Sequence, residues 1–139
     1  MKQFEFLEHT ADEKFRAYGK NLEEAFINSA LATSKIMTED NIKPEIEKTI
    51  QVEAINKERL LYEFLEEIIY LVDTEAFILS QITKLTITEK NNQFILKAII
   101  KGDNADKYEI KTHIKAVTYN DMFIKEDKNL ITIQVVHDI

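Results

Sequence analysis

The chain has 139 residues, with 18 Lys and Arg against 25 Asp and Glu, a formal net charge of −7 and a sequence pI near 5.0. That is enough chain for one domain, residues 1–139, and the 45% hydrophobic, 31% charged composition is that of an ordinary soluble globular protein. The absence of cysteine excludes disulfide frameworks, thiolate metal sites and thiol catalysis, and it suits a reducing compartment.

The basic residues are scattered among a larger number of acids. Direct high-affinity nucleic-acid binding, which wants clustered Lys and Arg, is therefore not expected. The only glycines, Gly19 and Gly102, lie in no phosphate-cradling loop, so nucleotide binding of that kind is excluded. No run of about 18 apolar residues occurs, and the N-terminus lacks the order of a signal peptide. The expectation is a cytoplasmic protein with no membrane partner.

Residues 2–8 alternate as a short strand, and Lys14 to Tyr18 do the same before Gly19-Lys20 turns the chain. Asn21 caps a helix, with Glu24 three residues on to complete a capping box. Leu22, Ala25, Phe26, Ser29, Ala30, Thr33 and Met37 give that helix one packing face. A polar connection with Pro44, the only proline, leads to a strand at Ile50, Val52 and Ala54. Asn56 caps a second, more apolar helix. Leu61, Phe64, Leu65, Ile68, Ile69 and Val72 form its stripe, and Arg59, Glu63, Glu66 and Glu67 stand opposite.

Beyond Asp73-Thr74-Glu75 the period changes from 3.6 to 2. Strands are predicted at Ile78 to Thr88, Phe94 to Ile100, His113 to Tyr119, Met122 to Lys125 and Leu130 to His137. Turns are predicted at 89–92, Gly102-Asp103-Asn104 and Asp127-Lys128-Asn129. The pattern predicts an α+β domain, with mostly antiparallel sheet structure and two main helices packed on one face.

Three stretches could carry chemistry. The tetrad His9-Thr10-Ala11-Asp12 sits at a strand end; taken alone it reads as a local side-chain turn. The strand ending in Val136-His137-Asp138-Ile139 is apolar almost to its end, which would fix Asp138 and the α-carboxylate of Ile139 in space. Two neighbouring negative charges repel unless solvated or bridged by a cation. With Asp12 they would make an oxygen-rich pocket suited to a hard divalent ion (Ca, Mg or Mn) rather than to zinc, for which His9 and His137 are the candidate ligands. In the third stretch, 113–120, Lys115 could contact a phosphate or carboxylate with Tyr119 in support, although both also fit the outer face of a sheet. A serine triad has Ser29, Ser34 and Ser80 to draw on, but no G-x-S-x-G elbow exists.

Taken in order, these motifs resemble the archease family over nearly the whole chain. Glu8-His9-Thr10-Ala11-Asp12 is similar to its N-terminal signature, followed by Ala17-Tyr18-Gly19 and Leu22-Glu23-Glu24-Ala25-Phe26. Leu60 to Leu65, Asp73-Thr74-Glu75, Ile114 to Tyr119 and the terminal Asp138-Ile139 complete the likeness. The resemblance implies an accessory protein, not an independent enzyme. It would activate an RtcB-type tRNA-splicing RNA ligase by promoting its guanylylation and multiple turnover. It also implies a divalent-metal site at Asp12, Asp138 and Ile139, with Lys115 functional and His9, Tyr119 and His137 as further candidates for functional or partner contact. One departure stands out: Asn120 follows Thr118-Tyr119, where the family usually has His. An amide positions and ligates but does not titrate near neutral pH. The alternatives are a small metal-dependent hydrolase using the same carboxylates and a chaperone-like binding partner without metal chemistry.

Overall fold

Both helices open on an asparagine, as their caps predict. In this computed structural model, which describes residues 1–8 and 11–139, helix α1 spans Leu22–Met37 and α2 spans Lys57–Glu75. Asn21 Oδ1 accepts from the Glu24 amide at 2.8 Å, and Asn56 Oδ1 accepts from the Arg59 amide at the same distance. Glu24 Oε1 returns the favour to the Lys20 amide at 3.1 Å and closes the local box.

The strands among the described residues are β1 (Phe4–Leu7), β2 (Asp12–Gly19), β3 (Ile46–Ala54), β4 (Phe77–Lys90), β5 (Gln93–Asn104), β6 (Ala116–Asp127) and β7 (Leu130–Asp138), with a 3-10 turn at Ala105–Lys107. They divide into two sheets, ordered β1-β2-β7-β6 and β3-β5-β4, and every pairing is antiparallel. The α+β class holds, and the helices form a layer between the two sheets. Helix α1 packs on β1, β2 and β7 on one side and on β4 on the other; α2 packs on β3, β4 and β5 and on β6. Each sheet therefore has one face on the helices and one in solvent. Among the described residues no helix is long and apolar enough to cross a membrane.

This layering explains why α1 has more than the single packing face read from its spacing. Ala25, Phe26, Asn28, Ser29, Ala30, Ala32, Thr33, Ser34, Ile36 and Met37 are all buried, because the helix is covered from both sides. Small residues let the sheets approach, and their hydroxyls bond within the helix or outward. Ser29 donates to Ala25 O at 2.9 Å, and Ser34 donates across to Leu79 O at 2.7 Å. Helix α2 keeps its amphipathic character, with Leu60, Leu61, Phe64, Leu65, Ile68, Ile69 and Leu71 buried. Phe26 and Phe64 stack at 6.1 Å between centroids where the two helices meet.

Two local expectations change. The stretch 102–104 is not a turn: β5 runs through it to Asn104. Gly102 is there for close approach, since a Cβ would lie 2.0 Å from the carbonyl oxygen of Ile78 and 2.7 Å from the Phe77 ring. The predicted strands at 113–119 and 122–125 are one strand, β6, starting at Ala116 and interrupted by an irregularity.

His137, a sequence candidate for functional or partner contact, belongs to the core. It is 0% exposed on the helix-facing side of β7, its ring 5.5 Å from that of Phe15. Thr33 Oγ1 lies 3.0 Å from Ser29 O and 2.9 Å from His137 Nε2. A hydroxyl has one proton, and giving it to the Ser29 carbonyl makes Thr33 the acceptor of Nε2–H. His137 Nδ1 then carries a bare lone pair, and among the described residues it has no hydrogen-bond partner. Burial pushes this imidazole down to a pKa of about 4, so it is neutral at pH 7.

Two outcomes are expected. Gly102→Ala should lower stability by about 3 kcal/mol, read as a fall in the urea midpoint, because the Ile78 backbone has to give way. The His137 pKa is depressed in the folded state from 6.5 to about 4. Stability from this group is therefore full above pH 6.5 and is lost as the pH falls towards 4, by roughly 3 kcal/mol. Urea titrations across that window should show the slope, and His137→Gln should flatten it; an unchanged slope would refute the assignment.

Candidate functional site

Alternation along the first sheet assigns its two faces. Phe15, Ala17, Ile133, Val135 and His137 are buried towards the helices, so Asp12, Lys14 and Arg16 of β2 and Asp138, Val136 and Gln134 of β7 belong to the outer face. The register sets Asp12 directly opposite Asp138, and Ala116 of β6 opposite Asp138 from the other side. Strand β2 thus begins at Asp12, earlier than its apolar alternation shows. Both aspartates are half-buried, as is Ile139, which packs its side chain against the core.

Directly opposed side chains on an antiparallel pair have Cβ atoms about 5 Å apart, and like charges there are destabilising. The row therefore sets the two aspartates side by side on the outer face, with the main-chain oxygen of Ile139 next in the chain. The Lys115 amide donates to Asp138 O at 2.8 Å, tying the segment before β6 to the end of β7. This donor set is all oxygen. It fits a hard divalent ion that completes its shell with water, and it fits zinc poorly, since His137 is turned to the opposite face. Among the described residues no three His, Asp or Glu side chains cluster, so any such site leans on main-chain oxygen. His9, with Thr10, lies outside the described residues.

Lys115 is exposed. Tyr119 is 53% exposed and stacks on Tyr62 of α2, centroids 4.5 Å apart and rings 11° from parallel. Partial burial holds both phenols above their usual pKa, and Glu66 adds to the effect at Tyr62. Glu66 also accepts from the Val117 amide at 3.1 Å. Asn120 is exposed, and its backbone N–H donates to Thr118 Oγ1 at 3.3 Å.

Sequence reasoning missed the residues that join this face sideways. Between Thr118 opposite Val136 and Phe123 opposite Gln134, β6 advances from 118 to 123 while β7 moves only from 136 to 134. The extra residues bulge. Asp121, in the left-handed region at φ 54°, brings a carboxylate oxygen to 3.7 Å from Lys14 Nζ. Gln134 Nε2 donates to Asp121 O at 2.8 Å, and Gln134 Oε1 accepts from Arg16 Nε at 2.9 Å. No alternation in the sequence marks this bulge. A cleft of about 290 Å³ lined by Leu31, Ser34, Lys35, Thr38, Leu79 and Ser80 takes in two of the serines weighed for a triad and none of the candidate metal or partner-contact residues.

The chain matches the model of the Archease protein family over residues 4–139. It is 36% identical over 140 residues to the protein archease of Sulfurisphaera tokodaii, covering 100% of both chains. To the protein archease of Pyrococcus furiosus it is 41% identical over 128 residues, covering 90% of this chain and 89% of that one. The solution structure of protein 1598 of Methanobacterium thermoautotrophicum is similar with a TM-score of 0.85, at 34% identity over 100% of both chains. The crystal structure of an archease, possible chaperone, from Thermotoga maritima shares the fold with a TM-score of 0.57 at 21% identity, covering 96% of this chain and 94% of that one.

Proposed function

The chain belongs to the archease family, and on that premise we propose that it is an accessory protein that activates an RtcB-type tRNA-splicing RNA ligase. It promotes guanylylation of the ligase and so permits multiple turnover, and it does this in the cytoplasm as an activator, not as an enzyme in its own right. The reading is carried by one observation: Asp12 and Asp138 are register partners on an open sheet face.

Asp12, Asp138 and the main-chain oxygen of Ile139 would hold a divalent ion (Ca, Mg or Mn). An ion held by these oxygens would supply positive charge for phosphate oxygens, of the kind that guanylyl transfer calls for. The chain's own part is positional. The β2–β7 ladder holds the two aspartates opposite each other, and the Lys115 amide ties the segment before β6 to the end of β7. Lys115 stands beside the row as a side chain able to meet a phosphate or a partner carboxylate.

Single-turnover guanylylation of the cognate ligase tests this. Asp12→Ala and Asp138→Ala are each expected to lower the stimulated rate by roughly tenfold or more while ligase binding persists. A chelator should mimic both substitutions. Full stimulation by both variants would overturn the metal account and leave protein contact as the active element.

A further inference from the structure

Alternation assigns the faces of the second sheet as it does those of the first. Ile50, Ala98 and Leu85 form a buried row across β3, β5 and β4 on the helix side, so the rows beside it face solvent. One outward row is Thr49, Ile99 and Lys84, and the next is Gln51, Lys97 and Thr86. Lys101 stands in the row on the other side of Ile99, opposite Glu47.

Three ammonium groups thus occupy three successive rows, which lie about 7 Å apart along the strands. Lys84 is directly opposite Ile99, and Lys97 and Lys101 flank that isoleucine on β5. Ile99 is half-buried and gives the lysine stems an apolar floor to lie along. Among the described residues no ion pair involves any of the three lysines. Lys90, opposite Gln93, adds a fourth cation to the face, against Glu47 and Glu53 on the edge strand β3. The local charge is therefore opposite in sign to the chain's −7. A concavity of about 330 Å³ opens here, lined by Lys84 and Lys97 together with Thr49, Gln51, Thr86 and Ile99, and its polar side chains are all hydrogen-bond donors.

The charges stand in file and do not converge on a point, which suits a chain of anions better than a single one. Lysine meets phosphate as a point charge, whereas a planar carboxylate is best met by the paired donors of arginine. None of the three strands contains an arginine. Their aromatic residues, Phe77 and Phe94, lie in the rows turned to the helices, so the outer face has no ring on which a base could stack.

We propose that this face binds the phosphodiester backbone of a single nucleic-acid strand, without reading its sequence, through Lys84, Lys97 and Lys101. Thr49, Gln51 and Thr86 supply neutral donors beside them. The contact is weak and salt-sensitive, because the rest of the acidic chain repels the same polyanion. The face belongs to the other sheet from Asp12 and Asp138, and the binding does not depend on the metal reading.

A fluorescein-labelled oligouridylate titrated with the full chain, read by fluorescence anisotropy at rising salt, tests this. The logarithm of the affinity should fall against that of the salt concentration with a slope of about −2, from three phosphates at roughly 0.7 each. Replacing Lys84, Lys97 and Lys101 together by Gln should weaken binding by roughly tenfold or more and flatten the slope, and Arg at the same positions should retain both. Lys20→Gln, Lys35→Gln and Lys128→Gln combined make the same change in net charge away from this face, and should cost no more than about twofold. An equal loss in that control, or no binding by the unaltered chain, would overturn the proposal. Polyglutamate should compete poorly with the labelled strand; competition as strong as that of unlabelled oligouridylate would assign the face to an acidic protein segment and overturn the nucleic-acid reading.

Discussion

Strand β2 pairs with β7 along its whole length, from Asp12 opposite Asp138 to Gly19 opposite Ile131, and this ladder is the constraint on which the rest depends. Side chains alternate across a strand, so a slip of one residue would exchange the two faces. Phe15 and Val135 would move into water, and the aspartates would move into the core. The hydrophobic burial of Phe15, Ala17, Ile133 and Val135, all 0% exposed, therefore holds Asp12 opposite Asp138 on the outer face.

The ladder is anchored from behind by α1. Asn28 Nδ2 donates to Tyr18 O at 2.6 Å, Thr33 meets His137 at 2.9 Å, and Ser34 reaches Leu79 of the other sheet. A net buried hydrogen bond is worth about 1 kcal/mol, but leaving one unmade costs more, so these contacts fix the orientation of the helix between its sheets. His137 is the exposed nerve of this arrangement in chemical terms only: it is wholly buried, and its Nδ1 is the buried side-chain atom without a hydrogen-bond partner among the described residues.

The sequence was informative where one physical rule dominates. Asparagine caps mark both helix starts, the stripe from Leu61 to Ile69 marks α2, and the acids at the two chain ends converge on one row. It was uninformative where rules overlap. Ile131, Ile133 and Val135 alternate with Thr132 and Gln134 and so set His137 on the apolar face, but a histidine there reads equally as a ligand and as a core residue. Gly102 looks like a turn residue because glycine serves turns and tight packing alike, and only the Ile78 carbonyl above it decides between them. The Lys14–Asp121 pair depends on a bulge, and a bulge leaves no period to read. The same holds for α1, where Ser34 lies off the face read from its spacing and is buried against the second sheet.

Strand β6 is an outer strand of its sheet, and such edges invite another chain to continue the ladder. At Val117 that invitation is withdrawn, because the Glu66 carboxylate already takes the amide that an incoming strand would need. An added strand would also have to bring its carbonyl against a negative charge. Augmentation of the sheet by a partner's backbone is therefore disfavoured at this point. Recognition on this side of the molecule is left to side chains, with the half-exposed Tyr119 ring, braced by Tyr62, as the most prominent.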